Sequence, residues 1–219
     1  MENGEIILID KPAGISSFGV VARVRRELSQ AAGHKVKVGH TGTLDPFATG
    51  LLILLAGKAT KRSNEFLKLD KCYDATIRLG ATSTTGDPEG EITENKEVEA
   101  PTREAVEAAV KSFIGEIDQQ VPQFSAVKIN GRRAYDLARK GQTFETPIRK
   151  ITIYDIQITD YTWPELKISC HVSSGTYIRT LGEDIGKKLG TGAYLTALRR
   201  TKIKDFDVAD ARPLPLDKN

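Results

Sequence analysis

Residues 39–50, GHTGTLDPFATG, run without interruption into the apolar segment Leu51–Leu55. A short unbroken apolar run next to turn-forming residues reads as a fully buried strand, so the chain must build a core around this point. The glycines, threonines, His40, Asp45 and Pro46 then stand in a loop at the rim of that core. Pro46 biases Asp45 away from helical geometry and restricts its side-chain direction. On local chemistry alone, such an Asp-Pro segment is more often an ordinary turn in which Asp45 bonds its own backbone.

The flanking pattern supplies elements on both sides. Glu5–Ile9 is a short strand, and Ser16 or Ser17 can cap a helix with Val20, Val21, Val24 and Leu28 along one side. Thr60–Leu69 reads as a helix and Cys72–Leu79 alternates as a strand. A turn-rich acidic stretch precedes a helix from about Thr102 to Ile114, with Gly115 as its stop. Phe124–Ile129, the Asn130-Gly131 turn and Arg132–Lys140 resemble a strand, a tight turn and a short helix. Ile151–Tyr161 and Leu166–Val172, joined at Trp163-Pro164-Glu165, form a hairpin pattern, and Thr176–Leu189 looks helical. The expected class is α+β around a mixed, largely antiparallel sheet with flanking helices.

At 219 residues the chain is one generous domain or one domain with a small appendage. Its longest apolar run, Leu51–Ala56, is far too short to span a bilayer, and the N-terminal sequence lacks a signal-peptide pattern. A cytoplasmic location is expected. Cys72 and Cys170 are widely spaced in strand-like segments and are expected to be reduced thiols. His34, His40 and His171 form no ligand spacing, so no metal is expected.

The formal charge of +3 hides segregation. Eight acids between 86 and 107 face only Lys96 and Arg103, giving −6. Three stretches are basic: +4 over 17–40, +5 over 125–150 (Lys128, Arg132, Arg133, Arg139, Lys140, Arg149 and Lys150 against two acids), and +5 over 179–204. On one face these form a polyanion-binding surface; the alternative is three solvated faces. Two motifs are excluded. The Gly57-Lys58 pair lacks the glycine and hydroxyl that a phosphate-binding loop needs at 52 and 59, and no GxSxG is present. In Ser173–Leu181, a glycine ahead of a helical pattern puts Arg179 in a first helical turn. Arginine there is usually a surface residue, but it can also hold a buried carboxylate ionised.

Taken together, IDKPAGISSF at 9–18, GHTGTLDPFATGLL at 39–52, KCYDATIRLGATSTTGD at 71–87, FSAVKINGRRAYDLARKG at 124–141, SSGTYIRTLGEDIG at 173–186 and LRRTKI at 198–203 resemble the tRNA pseudouridine-55 synthase family over nearly the whole chain. The resemblance implies a stand-alone isomerase that converts the T-loop uridine at tRNA position 55 to pseudouridine without cofactor or metal. It implies one catalytic domain over 1–219, with an insertion at about 123–150 that closes over the T arm. By motif matching, Asp45 is the nucleophile and Arg179 pairs with it. Tyr73 stacks on the flipped uracil, Leu198 lies on its other face, and His40 assists base eversion. Lys128, Arg132, Arg133, Arg139, Lys140, Arg199 and Arg200 are the matching candidates for phosphate contacts.

A carboxylate suits such a reaction, because breaking the C1′–N1 bond generates an oxocarbenium-like sugar that it can stabilise or capture. Addition to C1′, proton abstraction to a glycal and attack on the base are all open to it. Two departures stand out: the usual C-terminal RNA-binding (PUA) domain is not expected here, and Phe47 replaces a smaller aliphatic residue. RNA-guided relatives share the loop motifs but depend on that C-terminal domain, so a monomer with no obligate protein partner is expected. A non-catalytic tRNA-binding or folding protein is the remaining alternative.

Overall fold

A computed structural model describes residues 4–129 and 131–215. The chain forms two compact units, Met1–Asp74 with Ala197–Asn219, and Ala75–Thr196. The first unit opens with β1 (Glu5–Lys11), α1 (Ser17–Ala32), β2 (Val38–His40) and β3 (Thr49–Ala56), then a 3-10 turn over Gly57–Arg62 and the short α2 (Ser63–Leu67). β4 (Lys71–Leu79) leads into the second unit. There follow β5 (Ala81–Ser83), β6 (Ile92–Glu94), α3 (Arg103–Lys111), β7 (Gly115–Gln120), β8 (Lys128–Ile129), β9 (Arg132–Arg133), α4 (Ala134–Ala138), β10 (Ile148–Thr162), β11 (Glu165–Val172) and α5 (Ile178–Lys188). β12 (Ala193–Ile203) returns to the first unit, which ends with β13 (Phe206–Asp207), a 3-10 turn at Val208–Asp210 and β14 (Arg212–Pro213).

β3 explains why its sequence does not alternate. It lies between β1, antiparallel from Glu5↔Ala56 to Lys11↔Gly50, and β12, parallel at Arg199↔Thr49 and Arg200↔Gly50. Leu52, Leu54 and Ala56 join Val20, Val21 and Val24 of α1 in one apolar cluster, while Leu51, Ile53 and Leu55 join Phe66 and Ile203 in another. Alternate side chains of one strand thus feed two cores, and each fully buried leucine contributes about 1.5–3 kcal/mol of burial energy. β2 pairs antiparallel with β3, β14 parallel with β1, and β13 antiparallel with β12.

In the second unit β10 and β11 make the expected hairpin, closing at Thr162↔Glu165, and β7 pairs antiparallel with the first part of β10. The pairing is mixed and largely antiparallel, as the sequence implied.

Several local expectations change. Residues 60–69 form the end of a 3-10 turn and then α2 rather than one helix. Gly115, at φ 112°, begins β7 instead of ending α3; the polar sequence GEIDQQ of β7 carries little strand signal because alternate residues of this strand are exposed and its one buried residue is the polar Gln119. Only Lys128–Ile129 is extended within 124–129, and Arg132–Arg133 pairs with it ahead of a shorter α4. Asn130 of the expected turn lies outside the described residues. Neither Cys72 nor Cys170 is in a disulfide, and burial pushes the Cys72 thiol up. Among the described residues, no helix is long and apolar enough to cross a membrane.

Candidate active site

The loop between β2 and β3 is held almost residue by residue. Thr41 N donates to Ile53 O at 3.1 Å, and Gly42 N donates to His40 Nδ1 at 3.4 Å. The Ser17 hydroxyl donates to Leu44 O at 2.9 Å and accepts from Leu44 N at 2.8 Å. On the other side of Asp45, Pro46 O accepts from Gly14 N at 2.8 Å and from Lys11 Nζ at 3.1 Å. Asp45 itself is half-buried, and its carbonyl accepts from Ala48 N at 3.1 Å. The two serines at the start of α1 divide their work. Ser16 caps the helix, accepting from Gly19 N at 3.1 Å, which leaves Ser17 for the loop.

The far end of the loop is anchored by Arg200. Its Nε donates to Leu51 O at 2.7 Å and its Nη2 to Gly42 O at 3.1 Å, and the residue is 1% exposed. The sequence-based assignment of Arg200 to phosphate contacts is therefore corrected, because a guanidinium sealed in the core and committed to two carbonyls cannot reach RNA. Gly50 sits at φ 100°, and a Cβ there would lie 2.2 Å from Arg200 O, so only glycine lets β3 approach β12 at this point.

Arg199 makes a two-pronged pair with Asp10, at 3.0 and 2.8 Å, that raises its pKa. Leu198 is buried on β12, and its carbonyl accepts from Thr49 Oγ1 at 3.4 Å. Tyr73 is buried on β4. The first unit thus holds His40, Asp45, Tyr73 and Leu198.

Arg179 and the basic insertion belong to the second unit. Arg179 is the second residue of α5, whose N-terminus is tied by Gln119: Oε1 accepts from Tyr177 N at 2.8 Å and Nε2 donates to Tyr177 O at 3.0 Å. Arg179 donates to Thr85 O and Phe124 O, both at 2.7 Å, and its Nη1 lies 3.4 Å from Asp87 Oδ2. Asp87 belongs by count to the acidic stretch, yet it is 3% exposed and faces inward to a cation. Its Oδ1 accepts from Thr85 Oγ1 at 2.6 Å and Glu89 N at 3.0 Å. Burial raises the Glu183 carboxyl, with Arg179 opposing the shift.

Lys128, Arg132, Arg133, Arg139 and Lys140 are all exposed, and Lys128 stands directly opposite Arg133 across β8–β9. Like charges facing across a strand pair repel unless an anion lies over them. Arg133 and Arg139 flank the Tyr135 ring at 5.8 and 5.6 Å. Among the described residues, no cluster of three or more His, Cys, Asp or Glu side chains is arranged to hold a metal.

Two family models cover this architecture: "TruB family pseudouridylate synthase (N terminal domain)" matches residues 26–178, and "tRNA pseudouridylate synthase B C-terminal domain" matches 179–214. These family models place the chain in the class of pseudouridine-forming isomerases. Among similar proteins, the tRNA pseudouridine synthase B of Phocaeicola vulgatus is 47% identical over 210 residues, covering 95% of this chain and 89% of that protein. That of Bacteroides fragilis is 48% identical, covering 93% and 88%. That of Cupriavidus pinatubonensis is 47% identical, covering 94% of this chain but 64% of the relative. The chain belongs to the TruB family of pseudouridylate synthases.

Solved structures agree on the fold. A Cbf5-Nop10-Gar1 complex matches with a TM-score of 0.70 at 29% identity, covering 95% of this chain and 52% of that one. An H/ACA RNP bound to a substrate RNA containing 2'-deoxyuridine matches at 0.68 and 27%, covering 95% and 50%. The chain therefore spans about half the length of these structural relatives.

Proposed function

We propose that this protein isomerises uridine 55 in the T loop of tRNA to pseudouridine, with Asp45 as the nucleophile. The relatives near 47% identity over almost the whole chain are named for a tRNA substrate, and this observation carries the reading. The reaction breaks C1′–N1, turns the uracil and forms C1′–C5; the C5 proton leaves and N1 gains one, so no redox partner enters. Neither C1′ nor the uracil faces are reachable in a stacked loop, so the nucleotide is everted at a cost of roughly a few kcal/mol.

Asp45 suits the nucleophile's part because the backbone on both sides of it is fixed, which keeps a carboxylate aimed without reorganisation. Tyr73 and Leu198 then take the two faces of the uracil, Arg179 supplies the cation that keeps Asp45 ionised, and His40 assists eversion. The exposed cations of 128–140 supply phosphate contacts whose release of counterions offsets the cost of flipping. The protein acts as a monomer in the cytoplasm.

The test is incubation of the purified protein with T-arm RNA, followed by carbodiimide-dependent primer extension, beside Asp45→Asn. A stop at the T-loop uridine with the wild type only is expected. Absence of that stop, or an equal stop with Asp45→Asn, refutes the assignment. Activity that appears only with an added guide RNA points to the RNA-guided alternative.

A further inference from the structure

Two side chains that make no claim on substrate control the backbone around Asp45, and they do so by unusual means. Ser17 is 2% exposed, and its single hydroxyl serves both polar groups of Leu44, the residue before Asp45. A hydroxyl used as donor and acceptor to one residue fixes that peptide's rotation as a strand partner does. Arg200 spans the loop from the other side, joining Gly42 O, three residues before Asp45, to Leu51 O, six residues after it.

Arginine is expensive to bury, and one placed in a core is normally matched by a carboxylate. Here the hydrogen bonds described for Arg200 go to carbonyls of this loop and its exit, and its own backbone packs against Gly50. A chain needing only a stable strand junction has cheaper apolar solutions.

We propose that Ser17 and Arg200 are positioning residues that set the direction of the Asp45 carboxylate towards C1′. The inference rests on Asp45 being the nucleophile. Both residues act through the backbone, Ser17 on the adjoining peptide and Arg200 on the ends of the loop, and neither touches the reacting atoms. A displacement of about 1 Å at a reacting group costs on the order of 10²-fold in rate, so the signature is a loss in the chemical step with substrate binding retained.

The experiment measures single-turnover pseudouridine formation and T-arm RNA affinity for Ser17→Ala, Ser17→Thr and Arg200→Lys, at a temperature well below each variant's melting point. Ser17→Ala is expected to lower the single-turnover rate at saturating enzyme by roughly 10–100-fold while RNA affinity stays within about 3-fold. Ser17→Thr, which keeps the hydroxyl, should recover most of the rate. Arg200→Lys, which reaches one carbonyl but not both, should fall between wild type and Ser17→Ala.

Folded Ser17→Ala with a rate within about 3-fold of wild type overturns the proposal, as does equal loss in Ser17→Thr. If Arg200→Lys does not fold, the two serine variants still decide the matter. An inactive wild type, or an active Asp45→Asn, instead marks failure of the nucleophile assignment.

Discussion

Asp87→Asn isolates the buried ion pair beneath α5. Asp87 Oδ1 accepts from Thr85 Oγ1 and Glu89 N, and an asparagine carbonyl can keep both; Oδ2, at 3.4 Å from Arg179 Nη1, becomes an amide that cannot accept. The change therefore removes the charge pairing while leaving shape and local turn intact. Breaking a buried pair by deleting one partner costs about 3–5 kcal/mol. Arg179 keeps its two carbonyl acceptors and still lies near Glu183, which places the expected loss at about 3 kcal/mol.

For a chain of this length, that loss corresponds to a fall of about 6–12 °C in melting temperature. Urea unfolding of wild type, Asp87→Asn, Arg179→Met and the double variant measures it. Unchanged m-values and a coupling energy above about 1 kcal/mol are expected. A loss below about 1 kcal/mol, or strictly additive singles, refutes the compensation of Arg179 by Asp87.

Two further outcomes are expected. Burial, reinforced by the Arg200 charge, lowers the Lys71 pKa to about 8. The unfolded chain then binds the Lys71 proton more tightly between pH 8 and the ordinary lysine range, and stability rises with pH through that window by up to about 1.4 kcal/mol per unit. Lys71→Met should remove this slope in parallel urea titrations, and parallel curves for both proteins would count against it. Replacing Arg133 and Arg139 with alanine should weaken T-arm RNA binding and lower the slope of log affinity against log salt by about 1 for each phosphate no longer neutralised. An unchanged slope in fluorescence-anisotropy titrations would place the RNA elsewhere.

The nature of the strands is readable wherever one periodicity dominates. Leu51–Leu55 announces a buried strand because both of its faces are apolar, and 151–172 announces a hairpin because alternation and a turn coincide. β7 is not readable, since a half-exposed strand written GEIDQQ carries little apolar pattern. The loop at 39–50 can be marked as a rim of polar groups, and the resemblance of several separated motifs attaches a chemistry to it.

What the sequence alone determined was which residues are present and which segments must be buried, because burial follows from local composition and period. The tertiary structure decided what each charged or hydroxyl group does. Arg199 and Arg200 are neighbours in an apparently basic run, yet strand alternation sends one to Asp10 and seals the other against Gly42 and Leu51. Ser16 and Ser17 are interchangeable as caps until the loop at Leu44 claims one of them. Asp87 belongs to an acidic surface by count and to a buried pair by position. In each case the partner lies far away along the chain or across a strand, so only folding specifies it.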